Sequence, residues 1–180
     1  MKATGIVRRI DDLGRVVIPK EIRRTMRIRE GDPLEIYTSN DGEVIFKKYS
    51  PINELSEGAT QAAEVMSKLG GAPAVIFDRD HVVAVSGVQK KEYSERRISP
   101  ALEDLLESRK SYAYTSDNAN PLAPVEGIDK SAIAVFPIVS SGDITGAVAF
   151  MENSDNKKAT DQHKMLAQAA AMFLGKQIES

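Results

Sequence analysis

Thr4-Gly5-Ile6-Val7-Arg8-Arg9-Ile10-Asp11-Asp12-Leu13-Gly14-Arg15-Val16-Val17-Ile18-Pro19 is the stretch on which the reading of this 180-residue chain turns. Two β-rich runs, Thr4 to Ile10 and Val16 to Ile18, flank Asp11-Asp12-Leu13-Gly14-Arg15, a turn-type sequence with glycine where positive φ costs little. Pro19 suits the first position of a helix, because its φ is preset and no N–H is needed there. That helix, Lys20 to Arg27, stops before Arg29-Glu30-Gly31-Asp32-Pro33. Pro33 to Ser39 and Glu43 to Tyr49 then alternate apolar and polar residues around Asn40-Asp41-Gly42, which predicts a hairpin.

Charge is divided unevenly along the chain. Residues 1–50 carry 11 Lys and Arg against 8 Asp and Glu, a balance of +3, while residues 51–180 carry 13 against 18, a balance of -5. Seven of the eleven early cations are arginines, the residue best suited to fork-like contacts with phosphate and guanine. At about 100° per residue, with Ile22 at zero, Met26 falls at about 40°, whereas Arg23, Arg27, Lys20 and Arg24 fall between about 100° and 200°. Four cations therefore share one face of the helix, which serves equally well as a nucleic-acid surface or as a solvated face opposite a small apolar one.

Fifty residues with one short helix bury little apolar surface, and domains of that size need further support. The chain has no cysteine, which excludes disulfides, thiolate zinc sites and cysteine nucleophiles. No metal-ligand cluster is evident, so dimerisation around a shared core is the remaining remedy.

Ser50-Pro51 breaks the strand pattern and marks the domain boundary, giving domains 1–50 and 51–180. Ile52 to Leu69 is helix-like, with Leu55, Ala59, Ala62, Ala63, Met66 and Leu69 at three- and four-residue spacing, and Gly70-Gly71 ends it. Strands are expected over Ala74 to Phe77 and Val82 to Val88, then a helix over Pro100 to Arg109 and a short strand over Tyr112 to Thr115. A polar stretch with Pro121, Pro124 and Gly127 follows. Ser131 to Val139 and Thr145 to Met151 read as a hairpin, and Asp161 to Ile178 as a last helix with Met165, Leu166, Ala169, Met172 and Phe173 on one broad face. This order is that of one sensor-sized α+β domain. The apolar stripes of its terminal helices either cover the domain's own sheet or form a helical bundle between subunits, and both can hold at once.

Catalytic machinery is not legible. His81 follows a turn and His163 begins the last helix, positions that read as solvated rather than catalytic. No Gly-x-Gly-x-x-Gly, Walker loop, Gly-x-Ser-x-Gly or His-Glu-x-x-His occurs, so neither an enzyme nor a cofactor is expected. No apolar run approaches the roughly 20 residues that span a bilayer, and Met1-Lys2-Ala3-Thr4-Gly5 contains no apolar h-region. A cytoplasmic protein without a membrane partner is the expectation.

The opening sixteen-residue stretch, together with Glu21-Ile22-Arg23-Arg24 and Gly31-Asp32-Pro33-Leu34-Glu35-Ile36, closely resembles the AbrB-like transition-state regulators. The resemblance covers about the first fifty residues. It implies a swapped-hairpin β-barrel in which two chains interleave, and double-stranded DNA as partner. The matching motif positions for DNA contacts are Arg8, Arg15, Arg23 and Arg24, with Arg9 and Arg27 also available. The rest of the chain resembles a GAF domain in element order, though it lacks the Asn-Lys/Arg, Phe and Asp-Glu signature of the cyclic-nucleotide binders, and without cysteine it cannot hold a bilin by thioether. Together the two resemblances imply an α+β transcription regulator, activator and repressor, associated with the nucleoid in the developing forespore. Its expected assembly is a dimer through the N-terminal domain and a tetramer through the C-terminal helices. An antitoxin-like protein acting mainly through protein contacts is the alternative, against which the large C-terminal domain argues. If the C-terminal domain takes a small molecule, whose identity is unknown, the pocket is expected between the sheet and Tyr112 to Lys130, lined by Phe77, Ser86, Tyr112, Tyr114 and Phe136. The opposing reading is that these aromatics fill the core.

Overall fold

The computed structural model describes residues 2–116 and 120–180. The chain divides into two compact units, one ending at Tyr49 and the other running from Ser50 to Ser180.

In the first unit, helix α1 spans Lys20–Met26. Pro19 is its N-cap, with φ -58° and ψ 149°, and so lies one position earlier than a first-turn proline. The helix also stops one residue early, because Arg27 turns into the left-handed region at φ 52° and Lys48 Nζ donates to the Arg27 carbonyl at 2.6 Å. Strands β1 (Leu34–Thr38) and β2 (Val44–Lys48) pair antiparallel from Leu34 opposite Lys48 to Thr38 opposite Val44. Gly42, at φ +82°, donates its N–H to the Ser39 carbonyl and closes the hairpin. The β-rich segments Thr4 to Ile10 and Val16 to Ile18 join no sheet within the chain. Strand character needs a neighbouring backbone to pair with, and within the single chain these segments find none.

The second unit starts with α2 (Pro51–Glu54), whose N-cap Ser50 accepts the Asn53 N–H on its hydroxyl, and continues into α3 (Ser56–Gly70). The single helix expected over Ile52 to Leu69 is therefore interrupted at Leu55, which has φ -94° and ψ 26°. Next come β3 (Ala74–Asp78), β4 (Val82–Ser86), α4 (Lys90–Tyr93), α5 (Pro100–Glu107), β5 (Tyr112–Ala113), β6 (Ala132–Ser140), β7 (Asp143–Met151) and α6 (Asp161–Glu179). The sheet runs β4-β3-β7-β6-β5 with every neighbouring pair antiparallel.

Alternation along these strands separates two cores. Ile76, Phe136, Val148 and Phe150 join one with Ile52, Ala59, Ala63, Met66, Ala167, Ala171 and Leu174 from the flanking helices. Val75, Phe77, Val135, Ala147 and Ala149 face the other, under α5 and the segment around Leu122 to Ile128. Small residues let α6 sit close to the sheet: a Cβ on Gly175 would lie 2.2 Å from the Val139 carbonyl oxygen.

The last helix presents itself differently from its sequence pattern. Its buried side is His163, Ala167, Ala171, Leu174 and Gly175. Met165, Met172 and Phe173 stand outside at 71%, 65% and 56% exposure, as do Val65 and Leu69 of α3. Ala167, Ala171 and Gly175 lie where the helix comes closest to its neighbours, with Leu174 and His163 beside them, while the bulky stripe is left over.

Candidate nucleic-acid interface

Asp11 organises the turn that carries Arg15. The Asp11 N–H donates to the Arg15 carbonyl at 3.0 Å and the Gly14 N–H to the Asp11 carbonyl at 3.1 Å, with Gly14 at φ +76°. Asp11 Oδ1 accepts the backbone N–H groups of Leu13 at 3.0 Å and Arg15 at 2.7 Å, while Oδ2 accepts Arg15 Nε at 2.8 Å. The Arg15 backbone N–H and then its guanidinium hold the Asp11 carboxyl below the usual carboxylate range. In the sequence Asp11 reads as a turn former; its bond to Arg15 Nε is legible there only as an Asp and an Arg four residues apart.

On α1, Lys20, Arg23 and Arg24 are exposed, as the helical periodicity predicts. Arg23 is steadied by donation from Nε to the Ile18 carbonyl at 3.2 Å. Arg8 and Arg9 are exposed on the segment before the turn. Arg27 departs from the expected face, being half-buried and outside the helical ladder.

The five residues expected to line one pocket do not share a space. Phe77 and Tyr112 belong to the core under α5, and Phe136 to the core under α3 and α6. Ser86 pairs with Ala74, a residue of the helix-side core. The physical reason is register: Phe77 lies opposite Ala147 and Phe136 opposite Val148, one residue apart, so the sheet separates the two rings. Tyr114 instead lines a cleft of about 230 Å³ with Pro121, Ser131, Ala132, Glu152, Lys157 and Lys158. Part of the expected cover, residues 117–119 within Tyr112 to Lys130, lies outside the described residues.

His163 also corrects its expectation. It is only 2% exposed and serves as N3 of a capping box, its Nδ1 accepting the Thr160 N–H at 3.1 Å while Thr160 Oγ1 accepts the His163 N–H. Its Nε2 lies 2.7 Å from the Gly70 carbonyl, so the neutral tautomer protonated at Nε2 satisfies both nitrogens and ties α6 to the end of α3. Its ring tilts against Phe150. The group is thus engaged in packing. Among the described residues no cluster of His, Cys, Asp and Glu could hold a metal, and no helix is long and apolar enough to cross a membrane.

The family profile described as stage V sporulation protein T C-terminal, transcription factor, matches residues 54–179, and that described as antidote-toxin recognition MazE, bacterial antitoxin, matches residues 7–53. Stage V sporulation protein T of Bacillus subtilis (strain 168) is 50% identical to this chain over 181 positions, covering 99% of each. The transition state regulatory protein AbrB of the same strain is 43% identical over 91 residues, 51% of this chain and 93% of its own. Among solved structures, the GAF domain of a phosphoenolpyruvate-protein phosphotransferase from Coxiella burnetii aligns with a TM-score of 0.55 and 12% identity, over 69% of this chain and 82% of that one, a likeness of fold. The fold and the matches define a transcription factor with an AbrB-like DNA-binding unit followed by a GAF-like α+β unit. Within that class, the chain belongs to the stage V sporulation protein T family.

Proposed function

We propose that the chain regulates sporulation genes, as activator and repressor, by binding double-stranded DNA through a dimer of its first fifty residues. The observation that carries this reading is the pairing of exposed arginines with a unit that lacks a core of its own. Val7, Ile10, Leu13 and Val17 are each more than two-thirds exposed in the single chain, and among residues 2–49 only Pro19 is buried. So much apolar surface beside a turn and a hairpin fits two chains interleaving as a swapped-hairpin barrel, with Arg8, Arg15, Arg23 and Arg24 as the principal contacts and Arg9 and Arg27 in support. Some of these arginines fix position on phosphate and others read base edges.

The second unit then serves assembly. The outward stripes of α3 and α6 suit a helical bundle with a second dimer, giving a tetramer whose two DNA-binding units gain avidity through effective concentration. A nucleoid location in the forespore cytoplasm follows from this role, and catalysis forms no part of it. Ligand sensing by the second unit is a further reading, favoured by the cleft at Tyr114 alone; stabilisation of the protein in a thermal-shift screen of cell metabolites would support it, and no hit would leave assembly as the unit's role.

The test of the DNA reading is the double variant Arg23→Ala plus Arg24→Ala. Binding to a target duplex should be nearly abolished while light scattering shows the wild-type assembly. Every arginine–phosphate interaction that the variant removes should lower the log-log salt slope by about 0.9, doubled in a dimer by symmetry. Wild-type affinity in this variant would remove the assignment.

A further inference from the structure

Asp11 is an unexpected neighbour for an arginine that meets DNA. A carboxylate beside a phosphate backbone repels it, and the Asp11–Arg15 pair, with side chains 36% and 70% exposed, is the kind of surface ion pair that adds little to stability. Asp11 Oδ1 serves the turn, but neither affinity for phosphate nor stability of the fold accounts well for the bond between Oδ2 and Arg15 Nε. Its geometry offers another account. Both carboxylate oxygens are committed, Oδ1 to two backbone N–H groups of the turn and Oδ2 to Arg15 Nε. A guanidinium has five N–H donors in a fixed plane, so the bond at Nε leaves the four on the terminal nitrogens uncommitted and fixes the plane in which they lie.

We propose that Asp11 is a positioning residue for sequence recognition: it holds Arg15 through Nε so that the two terminal nitrogens are presented, already ordered, to the O6 and N7 atoms of a guanine. The inference rests on the reading of Arg15 as a DNA-binding residue. Two consequences of the pairing favour a base over a phosphate. The nearby negative charge weakens Arg15 as a point-charge clamp, and the fixed plane matches the two-acceptor edge that guanine presents in the major groove. Ordering Arg15 on folding also lowers the side-chain entropy lost on binding. Arg23 offers the contrast: its Nε is tethered by the neutral Ile18 carbonyl, which leaves its full charge available to a phosphate.

The experiment uses the full-length protein, a duplex selected by that protein from a random-sequence library, and a scrambled copy of the duplex. Asp11→Asn keeps an oxygen for the turn N–H groups but can set an amide donor against Arg15 Nε. Asp11→Ser keeps a short acceptor and removes the reach to Nε, which guards against a fault peculiar to asparagine. Both variants should bind the selected duplex about tenfold more weakly and the scrambled copy at least as well as wild type, since a negative charge has gone. Arg15→Ala should lose discrimination as well, and adding Asp11→Asn to it should cost nothing more. If Arg15→Ala loses discrimination while both Asp11 variants keep it, the positioning role is wrong and Arg15 still reads DNA. If Arg15→Ala itself discriminates like wild type, the reading of Arg15 fails first. Equal weakening toward both duplexes in the Asp11 variants would mean a purely structural turn residue and would also overturn the proposal.

Discussion

Between Lys2 and Tyr49 only Pro19 is buried, whereas among the described residues every other buried hydrophobic residue lies from Ile52 onward. Among the described residues, the first unit contributes twelve of the eighteen large hydrophobic residues left exposed, although it is little more than a quarter of the length. The second unit stacks helices and connecting segments on both faces of a five-stranded sheet and so completes two cores from its own residues. On the proposed assembly, the two units would depend on association in different ways. Chain length is part of the cause, since a short segment cannot bury enough apolar area to offset the entropy of ordering it.

The largest test of that contrast is concentration. A fragment of residues 1–50 should be a folded dimer at high concentration and lose its structure on dilution, by circular dichroism, with a midpoint set by protein concentration. A folded monomer would break the comparison. In the second unit a core truncation should act regardless of concentration: Phe150→Ala, at a fully buried ring, should cost about 3–5 kcal/mol in denaturant unfolding of the isolated unit. Gly175→Ala should cost about 1–3 kcal/mol, because its Cβ meets backbone rather than a movable side chain. Met172→Gln with Phe173→Gln should leave that unfolding curve within about 0.5 kcal/mol, since both are exposed, yet reduce the full chain from tetramer to dimer in sedimentation. A tetramer that survives would assign the outward stripe no part in assembly.

The smallest effect is in acid. A hydrogen bond from Lys176 and another from the Ser141 N–H hold the Glu179 carboxyl below its ordinary value. A depressed folded pKa means that any stabilisation is fully present above the unfolded value and is lost as pH falls through the folded one. The pH at which Glu179 titrates, followed by NMR of its carboxyl carbon, should therefore rise toward the ordinary range in Lys176→Ala, with thermal stability near pH 7 barely altered.

Sequence alone carried the hairpin around Asn40 to Gly42, the cationic side of α1 and, apart from the break at Leu55 and the short α4, the order of strands and helices beyond Ser50, because turn chemistry and periodicity are local properties. The motif from Thr4 to Pro19 was specific enough to indicate the AbrB-like class. Three matters needed the folded chain. Periodicity marks an apolar stripe without saying what covers it, and the tight approach at Gly175 decided that α6 turns Ala167, Ala171 and Leu174 inward and Met172 and Phe173 outward. The GAF-like element order suggested one pocket lined by both Phe77 and Phe136, while strand register put them on opposite sides of the sheet. His163 reads as solvated at a helix start, and it is buried because the Gly70 carbonyl, ninety-three residues away in sequence, comes within hydrogen-bond distance of its ring. Short-range spacing decides which elements form; which side of each is covered depends on residues far apart in the chain meeting one another, and they meet only once the sheet and its helices have packed.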